Sequence, residues 1–348
     1  MKIGLIGYPL SGKTTVFNTL TGLHARTDSF ISSGKEANVG LIKVPDTRLD
    51  RLTEIFQPKK ITHAEISFLD TAGITTTSGG GFDPNTLSLM RTVEAFTYVI
   101  RDFIAESVTH PLNRIDSLGD ISGIDEETKL ADLIVIEKRQ DRIAKEGKKS
   151  SPEYELLERC RMLLDGGTAL RDSSFTEDEL KALSGFGFLS LKPRLILLNT
   201  GEEKIHGDPA LLERHRNAIS FCAKVEQQIT ELEPEEQKDF LEVLDIEEPA
   251  RDKFIRTAYE LLNLICFFTV VSDELRAWTI HRGTDALHAA GKIHSDMERG
   301  FIRAEVVAFS DFIAEPSLVR MKELGKLRLE GKNYIVEDGD IIKFRFNV

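Results

Sequence analysis

Eight residues near the amino end, Gly7-Tyr8-Pro9-Leu10-Ser11-Gly12-Lys13-Thr14, restrict what this chain can fold into more than any other feature. They match the pattern GxxxxGK[ST], follow the apolar run Lys2–Ile6 and precede a helical run that starts at Thr15. A strand, a glycine-punctuated turn and a helix, in that order, form an anion cradle. Backbone N–H groups point at the helix N-terminus, where the peptide dipoles favour negative charge. Leu10, Ser11, Gly12, Lys13, Thr14 and Thr15 are expected to surround phosphate groups. The Lys13 ammonium is expected to neutralise them, and the Thr14 hydroxyl to ligate Mg²⁺.

A second segment fits the same chemistry. Asp70-Thr71-Ala72-Gly73 follows the apolar stretch Ile66–Leu69, so a carboxylate at a strand end is expected to support the metal and the Gly73 N–H to sense a terminal phosphate. Ile74 stands where Ras-like GTPases carry a water-orienting Gln, and an aliphatic side chain orients no water, so hydrolysis is expected to be slow. A third segment, Asn199-Thr200-Gly201-Glu202, follows Leu195–Leu198 in the position of the NKxD base-reading loop. Asn199, Thr200 and Glu202, with Cys222 and Ala223 after the next strand, are the expected base contacts.

The 348 residues suit two or three domains. Strand-like and helix-like runs alternate through the first 125 residues and resume near residue 195, predicting parallel strands with crossover helices. Between them Glu127–Lys145 and Glu153–Leu164 read as a helical hairpin. Ser151-Pro152-Glu153 supplies a cap, and Thr176 with Glu179 a capping box for a further short helix. Beyond Arg251–Leu264, expected as a helix, strands are predicted at Arg276–Ile280, Phe301–Phe309, Asn333–Val336 and Ile341–Val348, with one helix near Ser317–Glu330. The last two strands flank Glu337-Asp338-Gly339-Asp340, expected as a hairpin turn, and the whole suggests a small β-grasp sheet.

Net charge is −12, but residues 276–348 hold 12 Lys and Arg against 11 Asp and Glu, leaving 33 against 46 upstream. Any nucleic-acid contact is therefore expected in the tail. The three cysteines, Cys160, Cys222 and Cys266, lack CxxC spacing and are expected as buried thiols of a cytosolic protein. No leader is legible, and no apolar run is long enough for a bilayer, so no membrane partner is expected.

With these residues in view, the chain resembles the YchF-type ATPases of the Obg family of P-loop NTPases. Beyond the loop, Asn38-Val39-Gly40, Val44–Leu52, Arg276–Ile280, Ala289–Val306 and the ending YIVEDGDIIKFRFNV are similar to family segments, so the resemblance runs nearly end to end. It implies an α/β P-loop NTPase, a three-layer sheet with an inserted helical hairpin and a C-terminal TGS-like β-grasp. The expected bounds are 1–126 with 187–264 for the nucleotide domain, 127–186 for the hairpin and 265–348 for the tail. The family loop has Asn and Val where Leu10 and Ser11 stand. Its switch Thr falls at Gly34, with Ser32 or Ser33 as substitutes, and its second switch is replaced by ITTTSGGGFDPNTL. The catalytic His that the resemblance implies aligns with His110.

The expected activity is Mg²⁺-dependent binding and slow hydrolysis of ATP, favoured over GTP, by a monomeric regulator that meets ribosomes or RNA through its tail. Lys292, Arg299 and Arg303 are the candidate cations. The alternatives are a GTPase of the same architecture and a nucleotide-binding module without hydrolysis.

Overall fold

The computed structural model describes residues 1–23, 38–71, 73–74, 81–105, 114–271 and 273–347. From the amino end the chain runs β1 (Lys2–Ile6), α1 (Lys13–Thr21), β2 (Asn38–Lys43), α2 (Thr47–Phe56), β3 (Lys60–Thr62), β4 (Glu65–Asp70), α3 (Pro84–Thr92) and β5 (Ala95–Asp102). Three helices follow: α4 (Ser117–Lys145), α5 (Pro152–Asp165) and α6 (Glu177–Leu183). Then come β6 (Arg194–Thr200), α7 (Pro209–Arg214), β7 (Ala218–Phe221), α8 (Ala223–Glu231), α9 (Pro234–Val243) and α10 (Ala250–Leu261). The remainder is β8 (Leu264–Val271), β9 (Glu274–His281), α11 (Ala286–Ile293), α12 (Ser295–Arg299), β10 (Phe301–Ala308), α13 (Phe309–Ala314), α14 (Leu318–Glu323), β11 (Arg328–Glu330) and β12 (Asp340–Phe346).

Contacts divide the chain into two compact units, Met1–Leu41 with Ser67–Phe254, and Ile42–Ile66 with Ile255–Val348. The first holds the expected parallel sheet, in the order β2-β4-β1-β5-β6-β7, with β4 through β7 all parallel to their neighbours. Helices cover parallel strands on both faces, which is why every residue of β5 is buried. β1 lies between β4 and β5, so the loop that follows it opens at the carboxyl ends of the strands, where ligands bind in such sheets.

The inserted hairpin belongs to the first unit. Its core is Ile136, Ile143, Leu157, Cys160 and Leu164, and Arg139 braces it by a bidentate pair with Glu153 at 2.7 and 2.9 Å. The expected caps are present: Ser151 accepts from Tyr154 N, and Thr176 and Glu179 form a reciprocal box. α4 begins ten residues before the expected Glu127, at an Asp116 cap. All three cysteines are buried free thiols, as expected.

The second unit is a mixed six-stranded sheet, β11-β10-β12-β8-β9-β3. Its inner face packs Ile265, Phe267, Ala304, Val306, Ile342 and Phe344 against Ala286, Ala289 and Ala290 of α11. Ile42–Ile66, expected within the nucleotide domain, groups here because β3 pairs with β9 in parallel and Arg48 meets Asp338 at 3.0 Å while stacking on Phe268. Two tail expectations are corrected. Asn333–Val336 is no strand, making an isolated bridge from Ile335 to Asp285, because the buried Asp340 gathers Tyr334 Oη and Glu337 N into a turn. The helix expected near Ser317–Glu330 ends at Glu323, where Gly325 takes φ +70°, and β11 occupies the rest.

Candidate nucleotide site

Gly12 caps α1 in the left-handed region at φ +88°, and a Cβ there would lie 2.1 Å from Asn199 Nδ2. Only glycine combines that backbone with so close an approach. α1 carries no acidic residue in its first turn, leaving its N-terminal N–H groups for an anion. Leu10 also lies at positive φ, +63°, a region in which Asn is better tolerated than Leu. Ser11 is buried, and its hydroxyl has no hydrogen-bond partner among the described residues.

Lys13 is 8% exposed. Its ammonium donates to the carbonyls of Gly7 and Tyr8 at 3.1 and 3.0 Å, so the loop's first two carbonyls form its seat. Burial pushes its pKa down to about 8 against the pull of Asp70, and phosphate at the loop favours the charged form. A Cβ on Gly73 would lie 3.0 Å from the same ammonium, which places Gly73 beside Lys13.

Thr14 donates to Asp70 Oδ2 at 3.0 Å. Asn38 Nδ2 donates to the same oxygen at 3.3 Å, a role that no motif in the sequence marks. Thr15 is exposed on α1. Ile74 is 1% exposed and packs with Ile6, Leu69 and Ile124 in the core, so it presents nothing to a nucleophilic water.

Asn199, at the end of β6, is buried and donates through Nδ2 to Ser11 O at 3.0 Å. Thr200 ends β6 as a buried residue, its hydroxyl 3.4 Å from that of Ser220. Glu202 is engaged by Lys224 at 2.9 Å. Cys222 caps α8 with its thiol pushed up by burial, and Ala223 is the first residue of that helix. Arg101 and Phe103 were missed. Arg101 is buried, stacks on the Phe103 ring at 4.6 Å and donates to Leu10 O at 3.5 Å. Phe103 Cε1 lies 3.8 Å from the Cβ position of Gly12. Their place at the carboxyl end of a central parallel strand was the available signal.

Lys13, Thr14, Asp70, Gly73 and Asn199 thus converge on one loop. His110, Gly34, Ser32 and Ser33 lie outside the described residues. A separate cavity of about 570 Å³, lined by Ile205, Arg216, Glu226 and Lys253 among others, shares Cys222 with the expected base contacts and no residue with the phosphate loop. Among the described residues no three His, Cys, Asp or Glu gather as a metal cluster, and no helix is long and apolar enough to cross a membrane.

A strand-loop-helix phosphate cradle on a central parallel strand, a hydroxyl–carboxylate pair beside it and an Asn braced on the loop define a P-loop nucleoside triphosphatase. Residues 2–145 match the family model described as "50S ribosome-binding GTPase", and residues 264–347 match YchF-GTPase_C, described as "Protein of unknown function (DUF933)". The chain is 39% identical to the ribosome-binding ATPase YchF of Bacillus subtilis, over 100% of both chains, and 40% identical to that of Haemophilus ducreyi, over 100% of this chain and 99% of the other. The solved YchF GTPase of Schizosaccharomyces pombe superposes with a TM-score of 0.85 at 27% identity, over 99% of this chain and 97% of that one. The chain belongs to the YchF family.

Proposed function

We propose that this chain binds ATP with Mg²⁺ at the phosphate loop, hydrolyses it slowly in preference to GTP, and acts as a cytosolic, monomeric regulator on the ribosome. The observation that carries this reading is the buried Lys13 in its carbonyl seat, with Thr14 and Asp70 3.0 Å apart beside it. The paired hydroxyl and carboxylate are oxygen donors, which suit a hard cation such as Mg²⁺ that takes few protein ligands and keeps water and phosphate oxygens. Thr14 and Asp70 would hold it. When bound, the ion neutralises charge on the phosphate oxygens.

The related proteins are named ATPase in bacteria and GTPase in the solved structure, so the base loop has to decide. Asn199 spends one amide proton on Ser11 O, which leaves its second proton and Oδ1 for the N7 and 6-amino group of adenine. Glu202 is one methylene longer than the Asp that grips guanine, and Lys224 holds its carboxylate. Phe103 supplies a face on which a base stacks. With Ile74 in the core, turnover is slow, and a binding module without hydrolysis is the second reading.

For the ribosome contact, the three cations expected from sequence divide between two faces. Lys292 and Arg299 lie on α11 and α12, and Arg299 is paired with Asp296. Arg303 projects from β10 opposite Arg345 of β12, while Lys343 stands opposite Glu305. Glu305 holds the Arg345 guanidinium at 2.9 and 3.1 Å, yet Arg303, Lys343 and Arg345 outnumber that one carboxylate, so this strand face is the better RNA surface.

Single-turnover hydrolysis of ATP and GTP with and without Mg²⁺, beside calorimetric binding of both, tests the reading. ATP should bind several-fold tighter, and Lys13→Ala should weaken it by about 2–5 kcal/mol. GTP bound more tightly than ATP overturns the base choice, and unchanged affinity in Lys13→Ala overturns the site. Replacing Arg303, Lys343 and Arg345 together by Ala should abolish co-sedimentation with ribosomes and leave nucleotide binding intact.

A further inference from the structure

Tyr8 sits inside the phosphate loop with its backbone and its side chain committed to different parts of the first unit. Its carbonyl accepts from Lys13 Nζ at 3.0 Å and from Ser11 N at 3.3 Å, so it forms half of the seat that holds the Lys13 ammonium. Its side chain leaves the loop and packs on the core cluster that includes Ile121 and Ile124 of α4. There it meets Gly123 so closely that a Cβ on that glycine would lie 2.3 Å from the phenol oxygen and 3.5 Å from Cζ. Burial, then Asp120 and Glu127 on either side of Gly123 in α4, push the phenol's pKa up against the pull of Arg114, so the hydroxyl stays protonated at neutral pH.

α4 runs unbroken for 29 residues, about 43 Å at 1.5 Å per residue, and its far half forms the core of the inserted hairpin. A helix interior disfavours glycine, so Gly123 has a cost that α4 bears for the sake of the contact with Tyr8. A Tyr side chain has two stiff torsions and transmits a shift of its backbone to whatever its tip touches. The chain of contact runs from α4 through the phenol and the Tyr8 carbonyl to the ammonium that meets the phosphates.

We propose that Tyr8 is a positioning residue that couples the Lys13 seat to the root of α4, so that loading a triphosphate on the loop and the packing of the inserted hairpin are one linked equilibrium. The coupling is reciprocal: whatever shifts the root of α4 changes nucleotide affinity by the factor by which nucleotide shifts α4. The inference rests on the loop binding a nucleotide, as proposed above, and adds the route by which the hairpin senses it.

The test is a double-substitution cycle in the full chain, read by calorimetry with a non-hydrolysable ATP analogue and Mg²⁺. Gly123→Ala places a methyl against the hydroxyl and should weaken the analogue about tenfold, while the better helix former offsets part of the clash and keeps the chain folded. Adding Tyr8→Phe removes the clashing oxygen, leaves Cζ at the ordinary contact distance of 3.5 Å, and should restore affinity to that of Tyr8→Phe alone. In the wild-type chain, saturating analogue should slow amide hydrogen exchange over residues 118–128. Tyr8→Leu, which keeps the apolar contact and loses the reach, should bind the analogue without that slowing. An equal loss from Gly123→Ala with and without Tyr8→Phe, or exchange in α4 that ignores saturating analogue, overturns the coupling alone. A wild-type chain that binds no analogue overturns the nucleotide reading as well.

Discussion

Asn199 Nδ2 lies 3.0 Å from the carbonyl oxygen of Ser11, joining the end of β6 to the phosphate loop across 188 residues of sequence. The residue expected to read the base is also a brace for the loop that binds the phosphates. Asn199→Ala should therefore weaken ATP and GTP together, by about 0.5–1.5 kcal/mol for the lost hydrogen bond plus whatever base contact goes with it. Gly12→Ala, whose methyl would fall on Asn199 Nδ2, should be more damaging, and part of its effect should disappear once Asn199 is already Ala. Calorimetric affinities that add without interaction would rule out the brace.

Leu10 holds a left-handed backbone in which its Cβ is crowded. Leu10→Asn should stabilise the folded chain by about 0.5–1 kcal/mol, unlike most substitutions in a binding loop. Chemical denaturation decides it: a lower midpoint would mean that the leucine side chain packs for more than its backbone costs.

Ile74→Gln places a water-orienting residue where GTPases carry one, but the position is core. The expected result is a chain about 2–4 kcal/mol less stable from burying an amide among Ile6, Leu69 and Ile124, with no gain in turnover. Accelerated hydrolysis would show that the side chain reaches the phosphates.

Asp132 of α4 is fully buried and accepts from Leu189 N and Ser190 N at 2.8 and 2.7 Å. Burial nonetheless pushes its carboxyl up to about 6, against the pull of those N–H groups and of Arg91. A folded-state value above the ordinary 3.8 means that the fold prefers the protonated form. Its contribution is full below about pH 4 and is lost as pH rises through 6. Asp132→Asn should flatten stability over that window, at the cost of one unaccepted N–H, about 1–3 kcal/mol. Denaturation midpoints measured from pH 4 to 7 check it; a slope that survives the substitution assigns the dependence elsewhere.

Glu202→Asp shortens the carboxylate's reach to Lys224 and moves it toward the geometry that pairs with both guanine donors. The ratio of ATP to GTP affinity should narrow several-fold or invert. Competition binding that leaves the ratio unchanged would show that Glu202 takes no part in choosing the base.

The phosphate loop, β1 and β4 to β7 were legible because local pattern and tertiary role coincide: an apolar run, then turn residues, at the end of a buried strand. α4 was only half legible. Gly119 and Gly123 weaken its helical pattern, and the reason Gly123 is tolerated, the Tyr8 hydroxyl beside it, is a contact between residues 115 positions apart. Phe103 escaped notice because a lone aromatic after a strand carries no motif, and its place beside Gly12 and Asn199 exists only once the sheet has formed. In the tail, Tyr334-Ile335-Val336 is an aromatic and β-branched run of the kind strands favour, but Asp340 claims the Tyr334 hydroxyl and the turn it makes outweighs that preference.

β3 is three residues long, and Thr62 at its end bonds to Glu274 of β9, 212 residues later. On a ribosome adding about 5–20 residues per second, α2 and β3 wait roughly 10–40 s for their partner strand to be made. Throughout that interval Leu49 and Leu52, fully covered in the finished molecule, lack the sheet on which α2 comes to rest. The strands of the parallel sheet, by contrast, have all been synthesised by Phe221. A nascent chain of this protein therefore carries an uncovered amphipathic segment, α2 with β3, for most of its synthesis, and that segment is buried only once β9 has been made.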